Sequence, residues 1–257
     1  METLGALQAQ DLAAFHAQHY GPQGMILVVV GNVEAAQALD VIRDKLGDWQ
    51  NPQQPAQPTL PAVATPQKPT YTSVAMPGKS QADIILGVLG PERKSADFVA
   101  ASLLNSILGQ FGMMGRIGAV IREEHGMAYY AYSRIEGGYG PGAWKVIAGV
   151  APQNVETAIE LAKDEIRRIT EEMVSEEDLA DNQSYFTGHL PLQLESNEGI
   201  ATRLLLMESY DLGLDYLINY HDMIYSITRE DLLEVARRYW GGEGYVVAIA
   251  GPNGHDG

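Results

Sequence analysis

Residues 109–133 read GQFGMMGRIGAVIREEHGMAYYAYS, and the rest of the chain is organised around them. Gly109, Gly112 and Gly115 lead into a short helix predicted over 114–125, with Ile117, Val120 and Ile121 on its apolar side. Gly126 ends it, because a glycine just past the last helical residue takes the left-handed conformation without a Cβ penalty. A tyrosine-rich strand follows over 127–133. Arg122 lies in the last helical turn and Tyr129 early in the strand, so a helix, cap and strand can aim both polar tips at one place. From the residues alone, Arg122 equally reads as a partner of Glu123, Glu124 or a helix end, and Tyr129 as a half-buried strand residue. Strand alternation sets Tyr130 and Tyr132 on the face opposite Tyr129 and Ala131, as packing residues.

Upstream, 7–20 reads as a helix, Met25–Val30 as an apolar strand, and the segment from Val33 to Gly47 as a helix striped by Ala36, Leu39, Ile42 and Leu46. Six prolines between Pro52 and Pro69 then mark a linker, since proline removes backbone donors and favours extended chain. Beyond it, strands are expected over 71–76, 82–89 and 144–150, with a helix over 97–108. Pro152 opens a long helix with a buried stripe from Val155 through Ile159, Ala162, Ile166 and Ile169 to Met173. Ser175 with Asp178 looks like an N-cap pair, and further helices are expected over 196–211 and 214–225.

The end of the chain repeats its beginning. Residues 227–252, ITREDLLEVARRYWGGEGYVVAIAGP, align without a gap on 7–32, LQAQDLAAFHAQHYGPQGMILVVVGN, at an offset of 220 residues. Asp11, Leu12, Gly21, Gly24 and Gly31 recur as Asp231, Leu232, Gly241, Gly244 and Gly251. Both copies read helix, glycine turn, apolar strand, glycine, which implies two copies of one domain. The expected organisation is a remnant of a first domain over 1–50, a linker over 51–69 and a complete second domain over 70–252. Strands cluster early and helices late in that domain, which predicts an α+β fold with a mixed, largely antiparallel sheet packed against helices.

The chain has 257 residues, a formal charge of −16 and no cysteine. The charge argues against a nucleic-acid partner, which needs clustered Lys and Arg, and against an anionic membrane surface. The absent thiols exclude disulfides, thiol catalysis and thiolate metal sites. No signal peptide or bilayer-length apolar run is present, so the expectation is a soluble protein, with the compartment open and the cytoplasm favoured. The glycines of 109–115 are no phosphate loop, lacking both a preceding strand and a Gly-Lys-Ser/Thr ending. No Gly-x-Ser-x-Gly elbow supports a serine hydrolase.

The run IREEHGMAYYAYS, preceded by Asn105-x-x-Leu108-Gly109, resembles the second domain of the insulinase-like (pitrilysin) zinc peptidases, which typically carry Leu-Arg-Glu-x-x-Gly-Leu-Ala-Tyr there. The opening 26-residue repeat copy is similar to the end of that family's first domain, so the resemblance covers nearly the whole chain. It implies that Arg122 and Tyr129 reach across to a zinc site and help hold the substrate backbone and the tetrahedral oxyanion. A permanently charged guanidinium and a phenol donor suit that task. Where the family usually has Ser-Arg-Leu, this chain has Gly115-Arg116-Ile117; Arg116 matches and is a weaker candidate for substrate contact.

The family's zinc is held by His-x-x-Glu-His in the first domain, and none of His16, His19, His125, His189, His221 and His255 lies in such a motif. The expectation is no metal site and no cofactor in this chain, with zinc in a first domain or partner subunit of the same family, and a peptide as substrate. The chain is then part of a zinc metalloendopeptidase and inactive by itself. The alternative is a structural scaffold like the non-peptidase relatives that serve as core subunits of a respiratory complex. Apolar faces left without their usual cover also lead to an expected homodimer.

Overall fold

The computed structural model describes residues 2–252, and the side chains of all of these except Glu2, Met113 and Met114. His255 lies outside the described residues. The chain divides into two compact units, one running to Pro61 and including Gln193–Asp211, the other comprising Ala62–Leu192 and Leu212 onward.

The larger unit is built on a five-stranded sheet, β1 (Thr70–Ala75), β2 (Ala82–Leu89), β3 (Ala128–Ile135), β4 (Ala143–Val150) and β5 (Val246–Gly251), in the order β1-β5-β2-β4-β3. Only β1 runs parallel to its neighbour; the other pairings are antiparallel. Alternation sorts the faces: Ala82, Ile84 and Leu86 of β2, Trp144, Val146, Ala148 and Val150 of β4, and Val247 and Ile249 of β5 are buried. Between them, Asp83, Ile85, Lys145 and Ile147 point to the opposite face and are half-buried or exposed. This is the period-2 pattern of a sheet with one face on a core.

Helices α4 (Asp97–Gly109), α5 (Phe111–Gly118), α6 (Val155–Glu171) and α10 (Arg229–Trp240) supply the other half of that core. The α6 stripe is buried from Val155 to Ile169 as its spacing predicts, but Met173 lies beyond the helix end and is exposed. Each fully buried Leu, Ile or Val contributes on the order of 1.5–3 kcal/mol of transfer free energy, so this layer is what holds the unit together. Helix α7 (Glu176–Gln193) begins where Ser175 Oγ accepts from Asp178 N–H at 2.9 Å, the cap expected there.

The Asn105-x-x-Leu108-Gly109 motif welds α4 to the sheet. Asn105 Oδ1 accepts from both Ser133 Oγ at 2.8 Å and Trp144 Nε1 at 2.9 Å, and all three residues are closed to solvent. Leu108 is buried with them. Gly109 passes so near β3 that a Cβ would stand 2.1 Å from the Ser133 nitrogen, which only a glycine permits. Sequence predicts a helix over 214–225; α9 forms only at Tyr220–Tyr225, and turns occupy 214–219 after Asp211 and Gly213, both at positive φ, have broken the backbone direction.

In the smaller unit, α1 (Glu2–Ala6), α2 (Ala9–His19), α3 (Ala35–Leu46) and α8 (Asn197–Ser209) are the regular elements. No residue of α2 or α3 is buried. The strand predicted over 25–30 does not form: these residues have no regular structure and join no ladder among the described residues. Strand length and apolarity are local properties, whereas a ladder needs a neighbour. The two helices aligned by the sequence repeat start alike: Asp11 accepts from Gln8 N–H at 2.8 Å and Asp231 from Thr228 N–H at 2.8 Å, 220 residues apart. Among the described residues, no helix is long and apolar enough to cross a membrane.

Candidate functional site

Two backbone irregularities carry the two foremost candidates. The helix predicted over 114–125 is α5 followed by a π-helix, Ala119–Glu124, and Arg122 sits in the latter. There His125 N–H reaches back five residues to the Val120 carbonyl at 3.2 Å, widening the turn. His125 Nδ1 lies 2.9 Å from that same carbonyl, so the ring also caps this helix end. Gly126, at φ +60°, then reverses the chain, its N–H donating to the Arg122 carbonyl at 3.1 Å while Met127 N–H donates to Ile121 at 3.0 Å. With the helix-end carbonyls occupied, the exit into β3 is fixed and the π-helix packs against that strand.

Tyr129 is the extra residue of a β-bulge. Ala128 pairs with Val150 and Tyr130 with Gly149, leaving Tyr129 without an opposite number in β4. The alternation expected to group Tyr129 with Ala131 therefore fails: Ala131 is closed to solvent, whereas Tyr129 is 82% exposed. A bulge of this kind bends an edge strand and re-aims one side chain. Tyr130 and Tyr132 do share the opposite face, their ring centroids 6.1 Å apart.

The guanidinium of Arg122, a half-buried residue, and the Tyr129 hydroxyl engage no hydrogen bond or ion pair among the described residues, so the plain alternative in which Arg122 is tied to Glu123 or Glu124 is not what the structure shows. Unengaged donors on a fixed backbone are the equipment for meeting negative charge on an incoming oxygen, since no internal partner must first be given up. π-turns and bulges are both frequent where a side chain has work to do.

Arg116 is placed differently. Its Nη2 forms an ion pair with Asp178 Oδ2 at 2.7 Å, tying α5 to α7. Burial pushes the Asp178 carboxyl up, but the Arg116 hydrogen bond and charge, helped by Ser175, outweigh it and hold the group below its usual value. Beneath this pair Glu165 is buried and its carboxyl is raised by desolvation, against the opposing charges of Arg168 and Arg116.

No three His, Asp or Glu side chains converge as a metal set among the described residues. The histidines pack instead on aromatic neighbours: His19 on Phe15 at 4.4 Å, His16 on Tyr20 at 4.8 Å, His221 on Tyr225 at 4.6 Å and His189 on Tyr185 at 5.5 Å.

One constellation escaped sequence reasoning. Tyr130 Oη donates to Asp83 Oδ1 at 2.5 Å, crossing β4 to reach β2, while Lys79 Nζ donates to Asp83 Oδ2 at 2.7 Å. The Lys79 and Tyr130 hydrogen bonds hold the Asp83 carboxyl below its usual range, and the Asp83 bond with burial pushes the Tyr130 phenol up to about 12. A glycine inside a strand, Gly149, was the available signal.

The sequence profile of the family described as peptidase M16 inactive domain matches residues 6–185. An uncharacterized zinc protease of Streptomyces coelicolor is 28% identical over 245 residues, covering 92% of this chain and 52% of the relative, so the chain spans about half of that protein. The crystal structure of a peptidase M16 inactive domain from Pseudomonas fluorescens superposes with a TM-score of 0.86 at 24% identity, over 98% of this chain and 60% of that one. A chain of complex III2 from Candida albicans shares the fold at a TM-score of 0.74 and 18% identity, over 98% and 60%. With its fold and its profile match in agreement, this chain belongs to the insulinase-like peptidase M16 family, as its C-terminal, inactive domain.

Proposed function

We propose that the chain is the catalytically incomplete C-terminal half of a zinc metalloendopeptidase, closing over an extended peptide and presenting Arg122 and Tyr129 to a zinc site held elsewhere. The observation that carries this reading is the pair of unengaged donors, each on its own backbone irregularity, at the start of an edge strand. The metal, in a partner domain, would polarise the attacking water. Arg122 would neutralise charge developing on the scissile carbonyl oxygen, and Tyr129 would donate its phenol proton as a hydrogen bond to the same oxygen or to the peptide backbone. Arg116, paired with Asp178 and so anchored between α5 and α7, would be the weaker candidate for substrate contact.

In the same proposal residues 1–50 are the closing helix, strand and helix of a preceding copy of the fold, 51–69 the connector and 70–252 the complete copy. The repeat supports this. In α10 the stripe Leu232, Val235, Ala236 and Trp240 is buried on α4, α6 and the sheet; its counterparts are Leu12, Phe15 and His16 in α2 and Tyr20 at its C-terminal cap, and all four are exposed. A partner with the shape of α4 and α6 would cover them.

The test is peptide hydrolysis at saturating zinc by the longest natural protein containing this sequence, or by this chain mixed with a zinc-binding subunit of the family. Arg122→Ala and Tyr129→Phe should each lower turnover ten- to a thousand-fold, about 1.4–4 kcal/mol of transition-state stabilisation, with zinc content intact. Unchanged turnover would reduce this half to a lid. If the unaltered assembly cleaves nothing, the second reading, a structural scaffold, takes its place; the likeness to a chain of complex III2 is what favours it.

A further inference from the structure

The bulge at Tyr129 needs something to hold it, and the sheet supplies a device on its open face. Continued regularly from Ala131 opposite Ala148 and Tyr130 opposite Gly149, the β3–β4 ladder would next set Tyr129 opposite Val150. Val150 faces the core and is 1% exposed, so Tyr129 would turn inward. Instead Ala128 occupies that slot, half-buried against the core, and Tyr129 is squeezed out. A bulge is a local choice between these two ladders, made by whatever fixes the residues on either side of it.

On the helix side the exit from the π-helix is fixed by the Gly126 and Met127 bonds described above. On the strand side the fixed residue is Tyr130. Its ring lies on Gly149, where a Cβ would stand 2.6 Å from Tyr130 Cζ and 1.9 Å from Gln81 Nε2. Its hydroxyl ends on Asp83, which Lys79 holds from the other side. This one side chain thus spans three strands, and shifting it would strand a carboxylate without its phenol donor.

We propose that Tyr130, seated on Gly149 and bonded to Asp83, is a positioning residue that locks the β3 bulge and so keeps Tyr129 turned outward in a fixed orientation. Its consequence for turnover rests on the reading of Tyr129 given above; the lock itself does not. Two variants separate its parts. Tyr130→Phe leaves the ring on its seat and removes the bond, and Gly149→Val removes the seat.

Hydrogen exchange on the whole chain should show the amides of 128–131 exchanging at least tenfold faster in both variants, with α6 unchanged. Unchanged exchange at 128–131 overturns the lock, and if Gly149→Val does not fold, Tyr130→Phe decides alone. In the zinc-bearing assembly, Tyr130→Phe should lower kcat at least threefold with KM within twofold. It should do nothing further in a Tyr129→Phe background, because a residue acting only through Tyr129 has nothing left to position. An equal fall in both backgrounds overturns the proposal. If Tyr129→Phe alone leaves turnover unchanged, the catalytic reading has failed, and the exchange result still decides the lock.

Discussion

Trp144 Nε1 donates to Asn105 Oδ1 at 2.9 Å inside a core from which both residues are fully excluded from water. The same oxygen receives Ser133 Oγ, so one amide ties α4 to two strands at once. Replacing Asn105 by Ala leaves Trp144 Nε1 buried without an acceptor, at about 1–3 kcal/mol, while Ser133 Oγ keeps the Asn105 main-chain carbonyl at 3.0 Å. Asn105→Ala is expected to lose roughly 1–3 kcal/mol in urea unfolding. A loss below about 0.5 kcal/mol would show that water or a shifted side chain replaces the acceptor.

Tyr129 and Arg122 should behave in the opposite way. Neither engages a partner within the described residues and Tyr129 is almost wholly exposed, so Tyr129→Phe and Arg122→Ala are expected to leave stability within about 0.5 kcal/mol of the parent. Thermal unfolding beside the turnover assay checks this. Residues that hold a fold lose stability when cut, whereas residues kept for a bound partner lose activity alone. A marked fall in stability would assign both to packing.

The buried Glu165 gives a pH-dependent test. Its carboxyl is raised by burial, with Arg168 at 3.0 Å and Arg116 opposing and Glu124 and Asp164 adding to the rise. The folded chain therefore holds this proton more tightly than the unfolded chain, so stability falls as pH rises from the unfolded value of about 4.3 through the raised folded value. Glu165→Gln should stabilise the protein by on the order of 1 kcal/mol at pH 7, and by nothing at pH 4, where the carboxyl is already protonated. Asp83 and Asp178 have the other sign. Both are held low in the folded state, so their contribution is full above about 3.9 and is lost as pH falls through their folded values. A stabilisation by Glu165→Gln that is equal at both pH values would place its origin outside ionisation.

What sequence could and could not reveal divides along the same physical line. Gly126 as a cap, the α6 stripe and the alternation of β2 and β4 are local patterns, and each stands where its spacing put it. The bulge was hidden because tyrosines at 129, 130 and 132 fit either register; only the neighbours Gly149 and Asp83, distant in sequence, decide between them. The ion pair of Arg116 with Asp178 joins residues 62 apart, and no spacing rule links them. The apolar run over 25–30 has the length and apolarity of a strand yet forms none among the described residues, since pairing belongs to a partner.

That unpaired run and the helix before it lead to the last prediction. In the α10 copy, Leu232 is 0% exposed and Val235 5%; in the α2 copy, Leu12 is 63% exposed and Phe15 56%. The same helix start, closed by Asp11 as by Asp231, thus presents to water a stripe that its twin buries. Covering apolar area of this kind is favourable by about 25 cal/mol per Å², which favours association of copies of the chain. Light scattering is expected to show a self-associating species, and Leu12→Lys combined with Phe15→Lys should return it to a monomer. Adding a complete first domain of the family should compete with self-association, because it offers the cover that α4 and α6 give α10. A monodisperse monomer of the unaltered chain at tens of micromolar would mean that the stripe needs no cover, and would remove the main support for reading residues 1–50 as the end of a preceding copy.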